Sequence, residues 1–260
     1  MPIRMTPWPQ GTPCWPDLMA DDPASASRFY EELFGWEPTQ GPDGYAFMTS
    51  DGMRVAGIGP KPQGAEWPAV WTTYLAVDDV YRTIAHAKAE GAEELLPPTT
   101  LPGMATIALL TEPSGAHFGL WEPAPLNGIE RYNEEHAPVW NELMVRDHEE
   151  TMGYYSEVFG YSFEEYTEPD GSFAYATMIT PGGRLVAGLG QIGEEYGEEY
   201  RAHWMTYFFA EDPRAAAERC TQLGGAVLMD VTEGPFGELA VLRGPQGEIF
   251  SVIHPEHVDE

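Results

Sequence analysis

The spacing of apolar residues switches from the two-residue period of a strand to the longer period of a helix, and back, four times along the chain. "CWPDLMA", Cys14 to Ala20, has the strand period, which puts Trp15, Asp17 and Met19 on one face. "DDPASASRFYEELFGW" then takes helical spacing. Asp22 precedes Pro23 at its start, Ala24, Phe29 and Leu33 supply the apolar face, and Gly35 releases its C-terminus into a left-handed turn. "YAFMTS" and "RVAGIGP" return to the strand pattern.

The second unit, "WTTYLAVDDVYRTIAHAKAEGAEEL", predicts a strand and then a helix from about Val80 to Glu90 that stops at Gly91. "ATIALLTEPSG" and "AHFGLWEP" follow as further strands. The third unit repeats the first, with Asp147 before "HEETMGYYSEVFG" and with Trp140, Glu142 and Met144 on the face that Trp15, Asp17 and Met19 take. The fourth repeats the second, so Trp71, Thr73 and Tyr74 match Trp204, Thr206 and Tyr207. This ABAB order predicts an α+β fold of four βαβββ modules, with helices outside curved, mostly antiparallel sheets. Two domains are expected, 1–122 and 139–260. "PAPLNGIERYNEEHAP", Pro123 to Pro138, has the composition of a connection between them, and "GEEYGEEYRA" that of a solvated crossing.

Composition narrows the classes of partner. There are 42 acidic residues against 13 Lys plus Arg, a formal charge of -29, which repels nucleic acid and anionic membranes and concentrates cationic small molecules. The same excess also serves solubility. Cys14 and Cys220 are the only cysteines and make no CxxC pair, so each is expected as a buried reduced thiol. The N-terminal "MPIRMTPWPQG" lacks the apolar core of a signal peptide, no later run approaches a membrane span, and the chain reads as cytoplasmic.

"DDPASASRFYEELFGW" and its counterpart "RDHEETMGYYSEVFGY", with "LLTEPSGAHFGLW" and "LRGPQGEIFSVI", resemble the vicinal oxygen chelate superfamily. This is the glyoxalase, bleomycin resistance and extradiol dioxygenase group, and the resemblance spans almost the whole chain. It is nearest to duplicated actinobacterial proteins labelled hydroxylase or glyoxalase-like. The resemblance implies paired modules rolled into cups around a ligand cavity. It also implies, in metal-using members, a His at the start of a module's first strand and a Glu near the end of its last. Those first-strand positions fall here on Trp15, Thr72, Trp140 and Met205, and the Glu positions near Gly119 and Ser251. Indole is no metal donor, and Met with Thr makes no divalent-metal cage, so no metal and no cofactor are expected. His117 and His203 read as out of phase with the implied ligand positions.

What remains at those positions suits a ligand of another kind. Trp15, Asp17, Met19 and Tyr74 in the first cup, and Trp140, Glu142, Met144, Met205, Tyr207 and Phe209 in the second, combine stacking surface, a phenol, an acid and adaptable thioethers. An aromatic or polyketide-like molecule, with a cationic one matching the acids, is the leading expectation, bound for sequestration, for resistance or to assist a tailoring enzyme. A glyoxalase-like lyase, isomerase or hydroxylase using Asp17, Glu142, Tyr74 and Tyr207 is the alternative, and a non-catalytic interaction scaffold with filled cups is the third. "VAGIG" and "VAGLG" read as points of strand curvature. A monomer or a homodimer fits the duplication.

Overall fold

The computed structural model describes residues 3–62, 64–65, 67–194, 197, 200–234 and 236–257. Part of the acidic crossing at 193–202 therefore lies outside the described residues.

The first module runs β1 (Pro13–Ala20), α1 (Pro23–Phe34), β2 (Glu37–Gln40), β3 (Ala46–Ser50) and β4 (Met53–Pro60). The second is β5 (Val70–Ala76), α2 (Val80–Ala89), β6 (Glu93–Leu101), β7 (Ala105–Thr111) and β8 (His117–Pro123). The third is β9 (Pro138–Val145), α3 (His148–Phe159), β10 (Ser162–Thr167), β11 (Phe173–Ile179) and β12 (Leu185–Gln191). The fourth is β13 (His203–Phe209), α4 (Pro213–Gln222), β14 (Ala226–Gly234), β15 (Gly237–Arg243) and β16 (Ile249–Pro255). Each helix starts on an aspartate, Asp22, Asp79, Asp147 or Asp212, whose carboxylate accepts the backbone N–H three residues on. Gly35 closes α1 in the left-handed conformation predicted for it, and Gly160 closes α3 in the same way.

Each half of the chain forms one eight-stranded sheet, in the order β2-β3-β4-β1-β5-β8-β7-β6 and β10-β11-β12-β9-β13-β16-β15-β14. The first strand of each module pairs parallel with its last, and the two first strands of a half pair antiparallel at the sheet's centre. The fold is α+β, as the sequence pattern predicts.

Side-chain parity divides each central strand between two environments. Leu18, Leu75, Leu143 and Phe208 project from the helix-covered faces into two cores, each drawing residues from both halves of the chain. One joins α2 and its strands to α3 and its strands; the other joins α1 to α4. In the second, Tyr30, Phe34, Trp36, Trp71, Phe208 and Phe250 form a continuous aromatic network. The opposite, cup-facing surfaces hold separate clusters, one per half.

The stretch from Pro123 to Pro138 does more than cross between sheets. Leu126 and Ile129 are buried in the first cup's cluster, Ile129 N–H donates to Cys14 O at 2.8 Å, and Leu126 N–H donates to Met104 O at 3.0 Å. Its Pro and polar composition hid these two apolar anchors. Cys14 and Cys220 are free and buried.

Candidate functional site

In the first cup, β1 presents Trp15 and Asp17 opposite Tyr74 and Thr72 of β5. Trp15 Nε1–H donates to the Tyr45 hydroxyl at 3.0 Å, and that hydroxyl donates to Asp17 Oδ1 at 2.8 Å. Tyr74 gives Asp17 a second hydroxyl donor. Burial pushes the Asp17 carboxyl up to about 7, against the pull of both phenols, and lifts the Tyr45 and Tyr74 hydroxyls well above the ordinary tyrosine range. Trp121 of β8 stacks on Trp15 at 5.3 Å and 25°. With Trp8, Leu126 and Ile129 packed in, Trp15 is only 2% and Asp17 4% exposed. Met19 is partly exposed at the far end of the same strand.

The second cup repeats this design with a more open floor. Trp140 lies opposite Tyr207, and Glu142 opposite Met205. Trp140 Nε1–H donates to the Tyr175 hydroxyl at 3.1 Å, and the Tyr207 hydroxyl donates to Glu142 Oε2. Burial raises the Glu142 carboxyl above the ordinary range, opposed by that bond. Trp140, Asn141, Glu142 and Met144 are all partly exposed, where Trp15, Pro16 and Asp17 are buried. Met205 and Tyr207 are buried beside Ile253, while Phe209 is partly exposed and sits edge-on to His254 at 5.8 Å.

Tyr45 and Tyr175, the phenols that accept from Trp15 and Trp140, escaped the sequence reading. The signal was present: each opens the shared "YA" of its strand, and each lies over a glycine of "VAGIG" or "VAGLG". A Cβ at Gly57 or Gly188 would overlap the facing tyrosine's hydroxyl end. These glycines therefore make room for the phenols, a more specific role than strand curvature. Trp121 and Phe47, which lies edge-on to Trp15 at 6.1 Å, were likewise not anticipated.

The residues at the implied metal positions do not fit a metal. Two are indoles, Thr72 and Met205 face acids across the strands, and Tyr74's ring covers the Gly119 α-carbon where a Glu side chain would start. Among the described residues no three His, Cys, Asp or Glu side chains gather. His203 lies opposite Met144, two residues before Met205, and so shares its strand face, contrary to the out-of-phase reading; likewise His117 shares the parity of Gly119. Both are engaged locally, His203 Nδ1 with Arg201 O at 2.9 Å and His117 Nδ1 with the Thr111 hydroxyl at 2.9 Å.

A cavity of about 330 Å³ opens at the rim of the first cup among Phe47, Arg54, Met104 and Leu126. Its lining reaches neither Trp15 nor Asp17, and its one cation is already paired, Arg54 Nη1 to Glu130 Oε1 at 2.6 Å.

The profile of the glyoxalase/bleomycin resistance protein/dioxygenase superfamily matches residues 15–120 and 137–252. The chain belongs to this superfamily. Among glyoxalase-superfamily relatives, a Mycobacterium tuberculosis protein named "Putative glyoxylase CFP32" is 33% identical over 98% of both chains. The anthracycline biosynthesis protein DauV of Streptomyces sp. (strain C5) is 30% identical over 96% of this chain and 95% of its own. DnrV of Streptomyces peucetius, also named an anthracycline biosynthesis protein, is 29% identical over the same shares. Among solved structures of the superfamily's fold, the 2,3-dioxygenase LapB from Pseudomonas sp. KL28 superposes with a TM-score of 0.65 at 17% identity, covering 96% of this chain and 95% of that one. The Mn(II)-bound glyoxalase from Novosphingobium aromaticivorans gives 0.64 at 15% identity, covering 96% and 85%. At such identities these two likenesses concern the fold alone.

Proposed function

We propose that this superfamily member binds an aromatic, polyketide-like small molecule without a metal, either to sequester it or to present it to a tailoring enzyme. The observation that carries this reading is that each cup holds an indole bonded to a phenol and an acid bonded to a phenol, at and beside the positions where the family resemblance implies metal ligands. Indole and phenol faces supply stacking area, and the acid with its tyrosine supplies direction. The names of DauV and DnrV support a polycyclic polyketide as the class of ligand.

Calorimetric titration of metal-free and metal-supplemented protein against a panel of polycyclic polyketides tests it. Saturable binding, equal in chelator and in added Mn(II) or Fe(II), is expected. No saturable binding, or binding that appears only with metal, would overturn the reading.

A catalytic reading is favoured by one observation, the hydrogen bond that joins the Tyr207 hydroxyl to Glu142, which pairs a proton donor with a carboxylate of raised pKa. It requires product formation that Glu142→Gln abolishes while ligand is still bound.

A further inference from the structure

Duplication supplies two cups, but their floors have diverged. Trp121 stands two residues beyond Gly119 on β8, and its counterpart two residues beyond Ser251 on β16 is Ile253; Gly119 and Ser251 sit beside the matched tyrosines Tyr74 and Tyr207. The ring that covers Trp15 in the first cup is thus replaced by a smaller aliphatic in the second. Trp8, Leu126 and Ile129 also enter the first cup. The second cup's cluster consists of Met205, Tyr207 and Ile253 with partly buried Val139, Trp140, Leu239 and Val241 around them.

The acids have diverged in the same direction. Asp17 receives two phenolic hydroxyls and is sealed from solvent. Glu142 receives one, on Oε2, and among the described residues nothing donates to its Oε1 and no Lys, Arg or His pairs with it. Glu142 is partly exposed, so its Oε1 is left to solvent or to a donor that a ligand brings.

The mouth of the second cup carries an aromatic side chain that has no aromatic counterpart in the first. Phe236 immediately precedes β15, as Met104 immediately precedes β7. Met104 is buried, with its backbone carbonyl held by Leu126, whereas Phe236 is 41% exposed and its ring lies 5.3 Å from that of Tyr175. Phe236, Tyr175 and Trp140 therefore form a chain of rings from the rim to the neighbourhood of Glu142.

We propose that only the second cup takes ligand, and that the ligand is a planar aromatic carrying an ammonium group, its rings against Trp140, Tyr175 and Phe236 and its ammonium at Glu142 Oε1. The floor of the first cup is filled by its own side chains, and the cavity at its rim reaches neither Trp15 nor Asp17. A cation facing an aromatic wall and one desolvated carboxylate is favoured both by charge and by the ring quadrupoles. This inference rests on the small-molecule binding proposed above and adds which cup acts and which charge it selects.

A matched pair of probes separates the two statements: an anthracycline bearing an amino sugar, and its sugar-free aglycone, each titrated by fluorescence and calorimetry. The amine should bind with one molecule per chain and more tightly than the aglycone. Glu142→Gln should weaken the amine about tenfold or more while leaving the aglycone nearly unchanged. Phe236→Ala, at an exposed position where folding is not at stake, should weaken both. Two molecules per chain, or a Glu142→Gln protein that holds the amine as well as wild type, would overturn this inference and leave the binding function standing. Failure of both probes and of the wider polyketide panel would overturn both.

Discussion

Asp17 shows how much one buried residue can determine. Its carboxyl sits under two tryptophans and two phenols, and desolvation raises it to about 7, so the folded protein favours its neutral form across the range where the unfolded chain has already ionised. The stability it contributes is present in full below the unfolded value of 3.8 and is lost as pH rises through about 7. Relative to Asp17→Asn, which keeps a hydroxyl acceptor but cannot ionise, wild type should lose stability progressively from about pH 4 to about pH 7, on the order of 2–4 kcal/mol in all. Urea denaturation of both proteins at several pH values measures this, and a difference that does not vary with pH would contradict it. The Trp-x-acid spacing was visible in the sequence, but the second phenol that distinguishes Asp17 from Glu142 was not. It comes from Tyr45, which is remote along the chain and reaches Asp17 only once β1 and β3 lie on either side of β4.

Among the elements, the helices were the most legible. Their Asp caps and glycine stops are local chemistry, and the bounds of α1 and α2 follow the predicted punctuation to within a residue. The strands were less so, because the reason for a strand residue is often the neighbour opposite. Gly57 on β4 illustrates this: "VAGIG" suggests a flexible or bent strand, whereas the structure shows a small residue beneath a tyrosine. Gly57→Ala should cost about 2 kcal/mol or more, because the new methyl displaces Tyr45 from its bonds to Trp15 and Asp17. Placed on a Tyr45→Ala background, the same change should cost much less. Thermal melts of the four proteins form a double-mutant cycle, and equal costs on the two backgrounds would refute the account.

At the scale of the molecule, the helices of one half pack against those of the other, and both cores beneath them are mixed. Phe208, from the second half, touches rings of Phe34, Trp36 and Trp71 from the first. The halves are therefore bound to each other by the same contacts that hold each sheet to its helices. Heat or denaturant should unfold the chain in one transition, and Phe208→Ala, costing about 3–5 kcal/mol, should move that transition as a whole. Separate transitions for the two halves, or a shift confined to one of them, would show that the cores are independent. The mixed packing also explains why duplication has not meant equivalence. Both halves share the same cores, and within that frame the cup-facing residues have changed separately, one set toward filling and the other toward exposure.

The sequence alone determined the repeat, the helix limits, the superfamily resemblance and the unsuitability of Trp15, Thr72, Trp140 and Met205 as metal ligands, because periodicity, capping and donor chemistry are properties of neighbouring residues and of side-chain type. Tertiary structure decided what those residues face. The phenol that bridges Trp15 to Asp17, the separate phenols that meet Trp140 and Glu142, the burial of Leu126 and Ile129 in a stretch that reads as a tether, and the contrast between a sealed Asp17 and a half-satisfied Glu142 all arise from strand register and packing across distant segments. Register fixes which side chains meet, and alternation within a strand specifies only the face on which they meet.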